Sequence, residues 1–556
     1  MALPLLALAV MTVLVLGYRF YGRYIARQYA LDGDATTPAH QHADGVDFVP
    51  TRPFYLFGQH FSAIAAAGPI VGPILACQAF GWGPAILWIT LGVVFIGAVH
   101  DVSTLVASVR HDARSIAEVV KVQLGRRAWL AVLLFIYLAL VYVIVAFVDL
   151  TAGTFVSGDA DTGKLNPGGA VALSSLMYLG LALVMGLVDR FLHPPLWLQT
   201  VIFVPATFAL VWLGTEHSHV LTLGWSTWVM LIMAYCFVAS LTPMWLLLQP
   251  RGYLGGFVLY AALLVGTLGI FLGGFDIQQP AFKGFDVGGD TGLLFPFLFV
   301  TIACGACSGF HGLVCSGTTS KQIDRETHCH PIGYGAMLLE AFVALIALAT
   351  VMIVAPAASS GQQPGALYAR GMGAFLHELF GMNLMVAATF GAMALSTFVF
   401  DTLDSATRLG RYILQELVGA TSRTSALMAT AVTCLVPLGF LLAADRGSFR
   451  LFWNLFGTSN QLLAGLSLLA ISIWLRRQGK RAWFALIPMA LVMSVTVVSL
   501  LLQVRLLGRA AVGSAPWING LVSLVLLGLA STMVVIAAKS MRGQATTTLP
   551  MASSSS

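Results

Sequence analysis

Three titratable side chains stand inside long apolar stretches of the sequence, where each of them needs a partner. They are His60, His311 and Glu340. An ionised group at membrane depth is costly unless it is paired or solvated, so such groups mark ion or substrate pathways. A histidine ring has a pKa of about 6.5 and exchanges its proton readily. We predict that these residues couple ion movement. The alternative is structural, with histidines bonded to backbone carbonyls and the glutamate bonded to Thr350 or a neighbouring helix.

A second set of polar residues lies where two apolar runs end. The stretches HDVSTLVASVR (100–110) and FDTLDSATRLGR (400–411) each place carboxylates beside hydroxyl groups and ahead of arginine. Oxygen ligands suit hard cations, so these stretches predict an inner gate or a cation site, with helix-end salt bridges as the alternative. The predicted set comprises His100, Asp101, Ser396, Thr397, Asp401, Thr402 and Asp404.

A candidate metal set follows from spacing alone. Cys304, Cys307, His311 and Cys315 are separated by three, four and four residues, a spacing that would place them on one face of a helix. Zinc favours thiolate and imidazole ligands. On a straight helix the set extends over about 16 Å at 1.5 Å per residue, which is too far for one ion. We therefore expect packing residues here and no bound metal.

Several familiar chemical motifs are absent from the sequence. It contains no GxxxxGK[ST] phosphate loop, no GxSxG elbow and no HExxH pair. These absences argue against ATP-driven pumping and against an intramembrane enzyme, and no cofactor is expected. Lysine and arginine are scattered between apolar runs instead of being gathered in one basic segment, so the net charge of +6 does not indicate a nucleic-acid partner.

The composition requires a membrane around these residues. Of the 556 residues, 58% are apolar and 9% are charged, whereas a soluble domain carries about 25% charged residues. A helix crosses a bilayer with about 20 apolar residues, so the sequence predicts an all-α polytopic membrane protein with about 15 crossings. They are predicted near 2–17, 54–79, 83–100, 128–148, 168–188, 195–214, 225–248, 251–274, 292–317, 332–357, 384–400, 425–443, 451–475, 482–503 and 517–537.

The basic residues predict an orientation for these crossings. If the N-terminus is outside, the cytoplasmic loops and the C-terminal tail hold 22 of the 29 lysines and arginines. Positive side chains collect on the cytoplasmic side of membrane proteins. The asymmetry therefore predicts an external N-terminus and a cytoplasmic C-terminus.

Two of the predicted crossings are rich in residues that interrupt helices. The second contains Gly-Pro steps at 68–69 and 72–73, and the ninth repeats Gly and Ser between 305 and 317. Seven crossings separate them, so they run in opposite directions, as the broken helices of inverted repeats do. Interrupted helices expose N–H and C=O groups to a midplane site; close packing through small residues is the alternative. The predicted substrate-binding residues are Gln59, His60, Ser62, Gly68, Gly72, Gly305, Ser308, Gly309 and His311.

Because these two crossings run in opposite directions, we predict that the chain is divided into five parts. An N-terminal crossing and loop (1–53) precede a five-helix repeat (54–214) and an inserted hairpin (215–291). A second, inverted five-helix repeat (292–475) is followed by two C-terminal crossings and a polar tail (476–556).

Five long stretches also match a known family. They are GQHFSAIAAAGPIVGP (58–73), GAVHDVSTLVASVRHDARSIAEV (97–119), PFLFVTIACGACSGFHGLVCSGTTSKQI (296–323), THCHPIGYGAMLLE (327–340) and FDTLDSATRLGRYILQE (400–416). In these stretches the chain resembles the carbon starvation protein A family of bacterial inner-membrane transporters. The resemblance implies uptake of peptides or pyruvate, usually with protons, in the bacterial inner membrane.

Taken together, these features predict a LeuT/APC-like secondary active symporter that imports a small carboxylate-bearing solute, such as pyruvate or a short peptide. Its expected partners are that solute, H⁺ or Na⁺, and the lipid bilayer. The N-termini of half-helices would meet the carboxylate, because their free N–H groups and dipoles favour anions. The alternative is a channel or a membrane sensor that binds the same solute.

Overall fold

Almost all of the chain is helical. The computed structural model describes residues 2–44, 48–65, 67–156, 166–289, 292–420, 422–443 and 449–545. Within these ranges the β contacts are three isolated bridges, one of which joins Thr51 to Ile323. A bilayer offers the backbone no hydrogen-bond partners, so apolar runs of this length form helices. The predicted all-α membrane fold is confirmed.

The helices that organise the structure number nineteen in the described part of the chain, with a few shorter helical turns left unnumbered. In chain order they are α1 (Leu3–Tyr29), α2 (Pro53–Ile64), α3 (Gly68–Phe80), α4 (Trp82–Val109), α5 (Ile116–Leu124), α6 (Arg126–Val156), α7 (Pro167–Leu192), α8 (Leu196–Glu216), α9 (Trp225–Leu241), α10 (Leu248–Leu272), α11 (Leu294–Thr301), α12 (Gly309–Val314), α13 (Glu326–Met352), α14 (Pro364–Phe380), α15 (Leu384–Val418), α16 (Arg423–Ala443), α17 (Phe449–Arg477), α18 (Trp483–Val504) and α19 (Ala515–Ala545).

Each of the fifteen predicted crossings coincides with one of these helices or with an interrupted pair. Among the described residues, 12 helices are long and apolar enough to span a membrane, and the bent pair α2–α3 raises the number to 13. The predicted seventh crossing corresponds to the shorter helix α9. The predicted ninth corresponds to α11 and α12, with a π-helical turn at Cys315–Thr319 continuing α12.

The interruptions fall where the sequence predicted them. Helices α2 and α3 are bent by 46° relative to each other, and α3 begins at the first Gly-Pro step. Between α11 and α12 the backbone leaves the helical conformation and returns to it at Gly309. A proline lacks an N–H and glycine gains little from helix formation, so helices end readily at such residues.

Helix α14 was not predicted from the sequence. It carries Arg370, His377 and Glu378, so its hydropathy does not distinguish it from a loop. Its glycines nevertheless pack closely on its neighbours. A Cβ atom on Gly371 would lie 2.3 Å from Cβ of Thr350 in α13, and one on Gly373 would lie 3.0 Å from the backbone nitrogen of Ala388 in α15.

Several predicted helix ends differ from the structure, and two of these errors concern acidic residues. The third crossing was expected to end near Asp101, but α4 continues to Val109. The eleventh was expected to end near Asp401 and Asp404, but α15 continues to Val418. The predicted helices were ended at the first charged residue. In the structure both helices continue past that residue, because its charge has partners inside the protein. These aspartates therefore lie inside their helices.

Loops gather in two groups at opposite ends of α3 and α4. In one group the backbone nitrogen of Thr51 donates to the carbonyl of Gln322 at 3.1 Å, and Arg477 donates to the side chain of Gln123 at 3.1 Å. These contacts join loops that the predicted topology places in the cytoplasm. In the other group Gln78 donates to the carbonyl of Ser359 at 2.8 Å, which joins the last turn of α3 to a loop predicted to be external.

The orientation can be tested with single cysteines in the two loop groups. We expect Gln362→Cys to react with an impermeant maleimide added outside intact cells, because its loop belongs to the group with few basic residues. Gln478→Cys in the opposite group should react only after the membrane is opened. Both residues are exposed. Labelling of Gln478→Cys, but not of Gln362→Cys, in intact cells would reverse the assigned orientation.

Candidate functional site

The two interrupted segments lie directly against each other. A Cβ atom on Gly68 would lie 2.5 Å from Sγ of Cys304, and one on Gly72 would lie 2.5 Å from the carbonyl oxygen of Thr301. Real side chains do not tolerate such distances, so these glycines let α3 pack onto the irregular residues that follow α11. The segment that lacks helical hydrogen bonds is therefore held in the centre of the bundle.

Side chains of α17 satisfy the backbone that this interruption leaves free. The amide oxygen of Asn460 accepts a hydrogen bond from the backbone nitrogen of Phe310 at 2.8 Å, and its amide nitrogen donates to the hydroxyl of Ser308 at 3.0 Å. The indole nitrogen of Trp453 donates to the carbonyl of Thr301 at 3.0 Å. Because an unpaired backbone group is costly away from water, α17 stabilises the interrupted conformation.

Two histidines and two carboxylates form a buried network beside the interrupted segments. Nδ1 of His100 lies 2.7 Å from one carboxylate oxygen of Asp101, and Nδ1 of His311 lies 2.9 Å from the other. Nε2 of His311 lies 3.3 Å from the carboxylate of Glu340. All four side chains are fully buried. Groups this close titrate together, so protons can be shared along the chain of contacts.

Three helices position the network, and glycines bring them together. His100 and Asp101 lie on α4, His311 on α12 and Glu340 on α13. A Cβ atom on Gly312 would lie 3.2 Å from the imidazole ring of His100. The charge of the network depends on how many protons it holds, because every member is titratable and arginine is not among them.

His60 lies next to this network but is bonded elsewhere. Its Nδ1 lies 2.9 Å from the hydroxyl of Thr319, in the π-helical turn that follows α12, and the imidazole is buried. Its Nε2 lies 4.0 Å from Sγ of Cys315. The structure thus brings the three predicted coupling residues, His60, His311 and Glu340, into one region, with Asp101 joining them.

The cysteine stripe predicted from spacing does not form. Cys304 lies in the non-helical stretch, where its Sγ accepts from the amide nitrogen of Asn460 at 3.3 Å, while Cys315 faces His60. The prediction of one helical face is wrong because it assumed a continuous helix. In the described parts of the chain, no three His, Cys, Asp or Glu side chains are grouped as metal ligands would be.

A second buried network joins α9, α10 and α15. The guanidinium of Arg251 lies 2.8 Å from Asp401 through Nε and 2.6 Å from Asp404 through Nη1. The hydroxyl of Tyr235 donates to Asp404 at 2.9 Å. Arg251 is 1% exposed and Asp404 is 2% exposed, so this ion pair is shielded from water, whereas Asp401 is partly exposed. The nearby Arg408 donates instead to the carbonyl of Ala239 at 2.8 Å.

The predicted inner-gate residues therefore divide between two places. His100 and Asp101 contact His311, whereas Asp401 and Asp404 contact Arg251. The hydroxyls of the same set do not converge on one point. Ser396 lies 2.7 Å from the hydroxyl of Ser175, Thr402 donates to the carbonyl of Phe398, and Thr397 lies against the small cavity beside Arg251.

The remaining predicted substrate-binding residues have ordinary packing environments in this conformation. Gln59 is exposed, and the hydroxyl of Ser62 donates to its carbonyl at 3.1 Å. A Cβ atom on Gly305 would lie 3.1 Å from Cβ of Ala344, and one on Gly309 would lie 2.4 Å from the carbonyl of Asn460. The two glycines thus allow close contact with α13 and α17.

Sequence reasoning missed Arg251, Tyr235, Thr319 and Asn460. Arg251 stands at the first position of the predicted crossing 251–274, where no partner could be inferred, but its guanidinium contacts two carboxylates inside the bundle. Asn460 belongs to the stretch Gly457-Thr458-Ser459-Asn460-Gln461. Five consecutive small or polar residues inside an apolar helix are costly in lipid unless they face protein, and that signal could have identified α17 as a central helix.

Comparisons with known proteins agree on one family. The sequence model of the family described as carbon starvation protein CstA matches residues 1–363 and 355–499. The peptide transporter CstA of Campylobacter jejuni is 34% identical over 88% of this chain and 79% of its own length. The peptide transporter CstA of Bacillus subtilis is 33% identical over 96% of each chain. The pyruvate/proton symporter BtsT of Escherichia coli is 30% identical over 87% of this chain and 79% of its own length.

One solved structure is similar at a lower level. A crystal structure of the Eremococcus coleocola manganese transporter aligns with 90% of this chain and 98% of its own, at 12% identity and a TM-score of 0.41. An alignment of that quality supports no inference about the ligand.

We predict that removing the hydrogen bonds of the Asn460 side chain lowers the stability of the protein measurably. Asn460→Leu removes the partners of the Phe310 N–H and the Ser308 hydroxyl, and unsatisfied buried polar groups cost about 1–3 kcal/mol each. We expect the free energy of unfolding in detergent to fall by about 1–3 kcal/mol for each group left without a partner. Asn454→Leu is the matched control on α17, because the Asn454 side chain has one long bond to the described residues, which it accepts from the hydroxyl of Thr301 at 3.4 Å. Equal losses for the two variants would contradict the assignment.

We predict that the stability of the protein depends strongly on the charge balance of the Arg251 network. Arg251→Met leaves Asp401 and Asp404 without their guanidinium, and breaking a buried ion pair costs about 3–5 kcal/mol. We expect a loss of that order in the free energy of unfolding in detergent. The control is the triple variant with Asp401→Asn and Asp404→Asn added, which should recover most of the loss. An Arg251→Met protein as stable as the wild type would show that the network does not contribute to stability.

Proposed function

The chain belongs to the carbon starvation protein CstA family, and we propose on this basis that it is a secondary active symporter. Its relatives bear the names of transporters, so it is a multi-pass membrane transporter rather than an enzyme. The proposed substrate is a small carboxylate-bearing solute, pyruvate or a short peptide, as the names of the relatives indicate. The proposed coupling ion is H⁺.

The observation that carries this proposal is the buried network of His100, Asp101, His311 and Glu340. A proton-coupled carrier has to hold its proton at a group inside the membrane while the site is closed to both sides. The network offers imidazole and carboxylate groups in contact with one another and away from water. Such coupled groups can take up one proton and distribute it, which is the property that the coupling step needs.

The coupling step follows from the position of the network. His311 lies on α12, directly after the interrupted segment, and contacts carboxylates on α4 and α13. Adding a proton changes the charge that these three helices share and therefore the strength of the contacts between them. A change in those contacts would alter how α12 packs on α4 and α13. In this proposal the proton favours one packing, and the solute, bound at the interrupted segments, selects between the two packings.

The element order supports the proposed inverted repeats. In 54–214 an interrupted pair, α2–α3, precedes α4, the short helix α5 and α6–α8, while in 292–475 the pair α11–α12 precedes α13, the short helix α14 and α15–α17. His60 and His311 come from the interrupted pairs, and Asp101 and Glu340 come from the helices that follow them. The same kinds of element from the two halves would thus meet at one site, although His60 precedes the interruption of its pair and His311 follows the interruption of its own.

The orientation and location belong to the same proposal. An external N-terminus and a cytoplasmic C-terminus in a bacterial inner membrane would direct the basic loops towards the cytoplasm. The contacts support the division of the loops into two sides, since loops assigned to the same side bond to each other.

A channel or a solute sensor is the alternative function. Either would bind the solute without accumulating it against a gradient. The fully buried network favours a carrier, because a conducting pore keeps its polar groups in contact with water. Uptake by purified protein in vesicles, with H⁺ and Na⁺ gradients imposed separately, distinguishes the three possibilities and identifies the coupling ion.

Removing the titratable groups of the network should separate exchange from accumulation. A gradient of about two pH units can sustain about 100-fold accumulation of a solute that enters with one proton, because each unit is worth about 1.4 kcal/mol. We expect Glu340→Gln and His311→Gln to lower the accumulation ratio towards about one, while exchange of labelled for unlabelled solute continues.

The matched control is Glu378→Gln on the exposed face of α14. It removes a carboxylate of the same type outside the network and should accumulate solute like the wild type. If Glu340→Gln and His311→Gln, separately and combined, also accumulate solute like the wild type, the network is structural and protons are coupled elsewhere.

A further inference from the structure

A second polar site lies at the far end of α3 from the buried network. It is a cavity of about 570 Å³ where the end of α3, two loops and the start of α17 meet, and is here called the outer cavity. Sites for small ligands typically enclose about 300–1,000 Å³, so the outer cavity has room for a small organic acid or a short peptide. Its polar lining consists of Gln78, Lys283, Ser359, Ser360, Gln362 and Gln363.

Among the described residues that line the outer cavity, one carries a positive charge and none a negative one. Lys283 is exposed, and no carboxylate among the described residues forms an ion pair with it. Its ammonium group has three donors, and one of them reaches the carbonyl of Gln78 at 2.8 Å. The hydroxyl of Ser360 and the amides of Gln362 and Gln363 complete the lining and can donate to oxygen atoms. This combination suits a carboxylate.

The side chain of Gln78 is anchored but not saturated. Its amide nitrogen donates to the carbonyls of Ser359 and Gln362 at 2.8 and 3.1 Å. Its amide oxygen is buried and accepts no hydrogen bond from the described residues. A buried acceptor without a partner is costly, so a ligand or a water that donates to it would stabilise the wall of the cavity.

Lys283 also has a structural contact that must be separated from binding. The carbonyl of Gln78 lies in the last turn of α3, where basic side chains commonly cap free carbonyls. The backbone nitrogen of Lys283 also donates to the carbonyl of Phe80 at 3.1 Å. A cap of this kind would affect the stability of α3, but it would not make solute affinity depend on salt.

The position of the outer cavity connects it to the transport path. The cavity adjoins the C-terminal end of α3, and the N-terminal end of the same helix packs on the interrupted segment next to the network. Thirteen residues separate the two ends, which is about 20 Å of helix. The loops around the cavity belong to the group with few basic residues, so Lys283 is one of a small number of cations on that side.

We propose that the outer cavity captures the carboxylate of the incoming solute, with Lys283 as its electrostatic anchor, before the solute reaches the interrupted segments. This inference rests on the proposed import of a carboxylate-bearing solute. A single cation in a concave site raises the local concentration of anions. This attraction weakens at high salt, because dissolved ions screen the charge. The capture step therefore affects the half-saturating concentration of transport and leaves the maximal rate unchanged.

The test measures initial uptake of radiolabelled pyruvate and of labelled dialanine in right-side-out membrane vesicles at two ionic strengths. Lys283→Gln should raise KM for pyruvate about five-fold at about 10 mM salt and only about two-fold at about 500 mM, with the maximal rate per transporter unchanged. Lys283→Arg should behave like the wild type. The effect should be smaller for dialanine, because its ammonium group offsets the attraction.

Two further variants separate the binding role from the helix cap. Lys539→Gln removes an exposed lysine of α19 outside the cavity and should leave KM unchanged at both salt concentrations. Gln363→Glu places a carboxylate on the wall of the cavity without disturbing the bond to Gln78, and should raise KM for pyruvate about three-fold at low salt. This variant keeps the test valid if Lys283→Gln does not fold.

The outcomes distinguish the capture site from the proposed function. A wild type that accumulates neither solute refutes the import on which the inference rests. A wild type that accumulates either solute, together with Lys283→Gln and Gln363→Glu variants whose KM and salt dependence match the wild type, refutes the capture site alone. A Lys283→Gln variant whose maximal rate falls while KM is unchanged at both salt concentrations also refutes it, because the lysine then acts only as a cap of α3.

Discussion

The structure depends on one constraint, which is that a backbone group inside a bilayer must find its partner within the protein. An ordinary membrane helix satisfies this constraint through the hydrogen bonds of its own backbone. This chain interrupts two of them, after Ile64 and after Thr301, and so leaves polar backbone in the centre of the bundle. Asn460 and Trp453 of α17 then bond to the freed groups. The central position of α17 and the glycine contacts of α3 are consequences of this requirement.

The two buried charge networks differ in a way that suits different roles. Arginine keeps its proton under all ordinary conditions, so Arg251 holds a fixed charge between Asp401 and Asp404 and pins α9 and α10 to α15. The other network contains only imidazole and carboxylate groups around His311. Its charge can change with each proton gained or lost, so it can alternate while the Arg251 network stays constant.

Helix α3 connects the features that bear on transport. Its N-terminal end packs on the interrupted segment near His311, and its C-terminal end forms a wall of the outer cavity beside Lys283. A proline inside α3, Pro73, removes one backbone donor from the helix. A solute that enters at one end would therefore move along a helix whose other end contacts the proposed coupling site.

The sequence by itself determined the membrane class, the approximate position of the apolar helices, the two interruptions and the titratable residues, because hydropathy, proline and glycine act locally. It did not determine where α4 and α15 end or that α14 forms, since a charged residue inside a helix depends on partners distant in the chain. Only the tertiary structure brought Asp101 to His311 and Arg251 to Asp404. These pairs are separated by 210 and 153 residues, and such contacts follow from how helices pack, which no local pattern specifies.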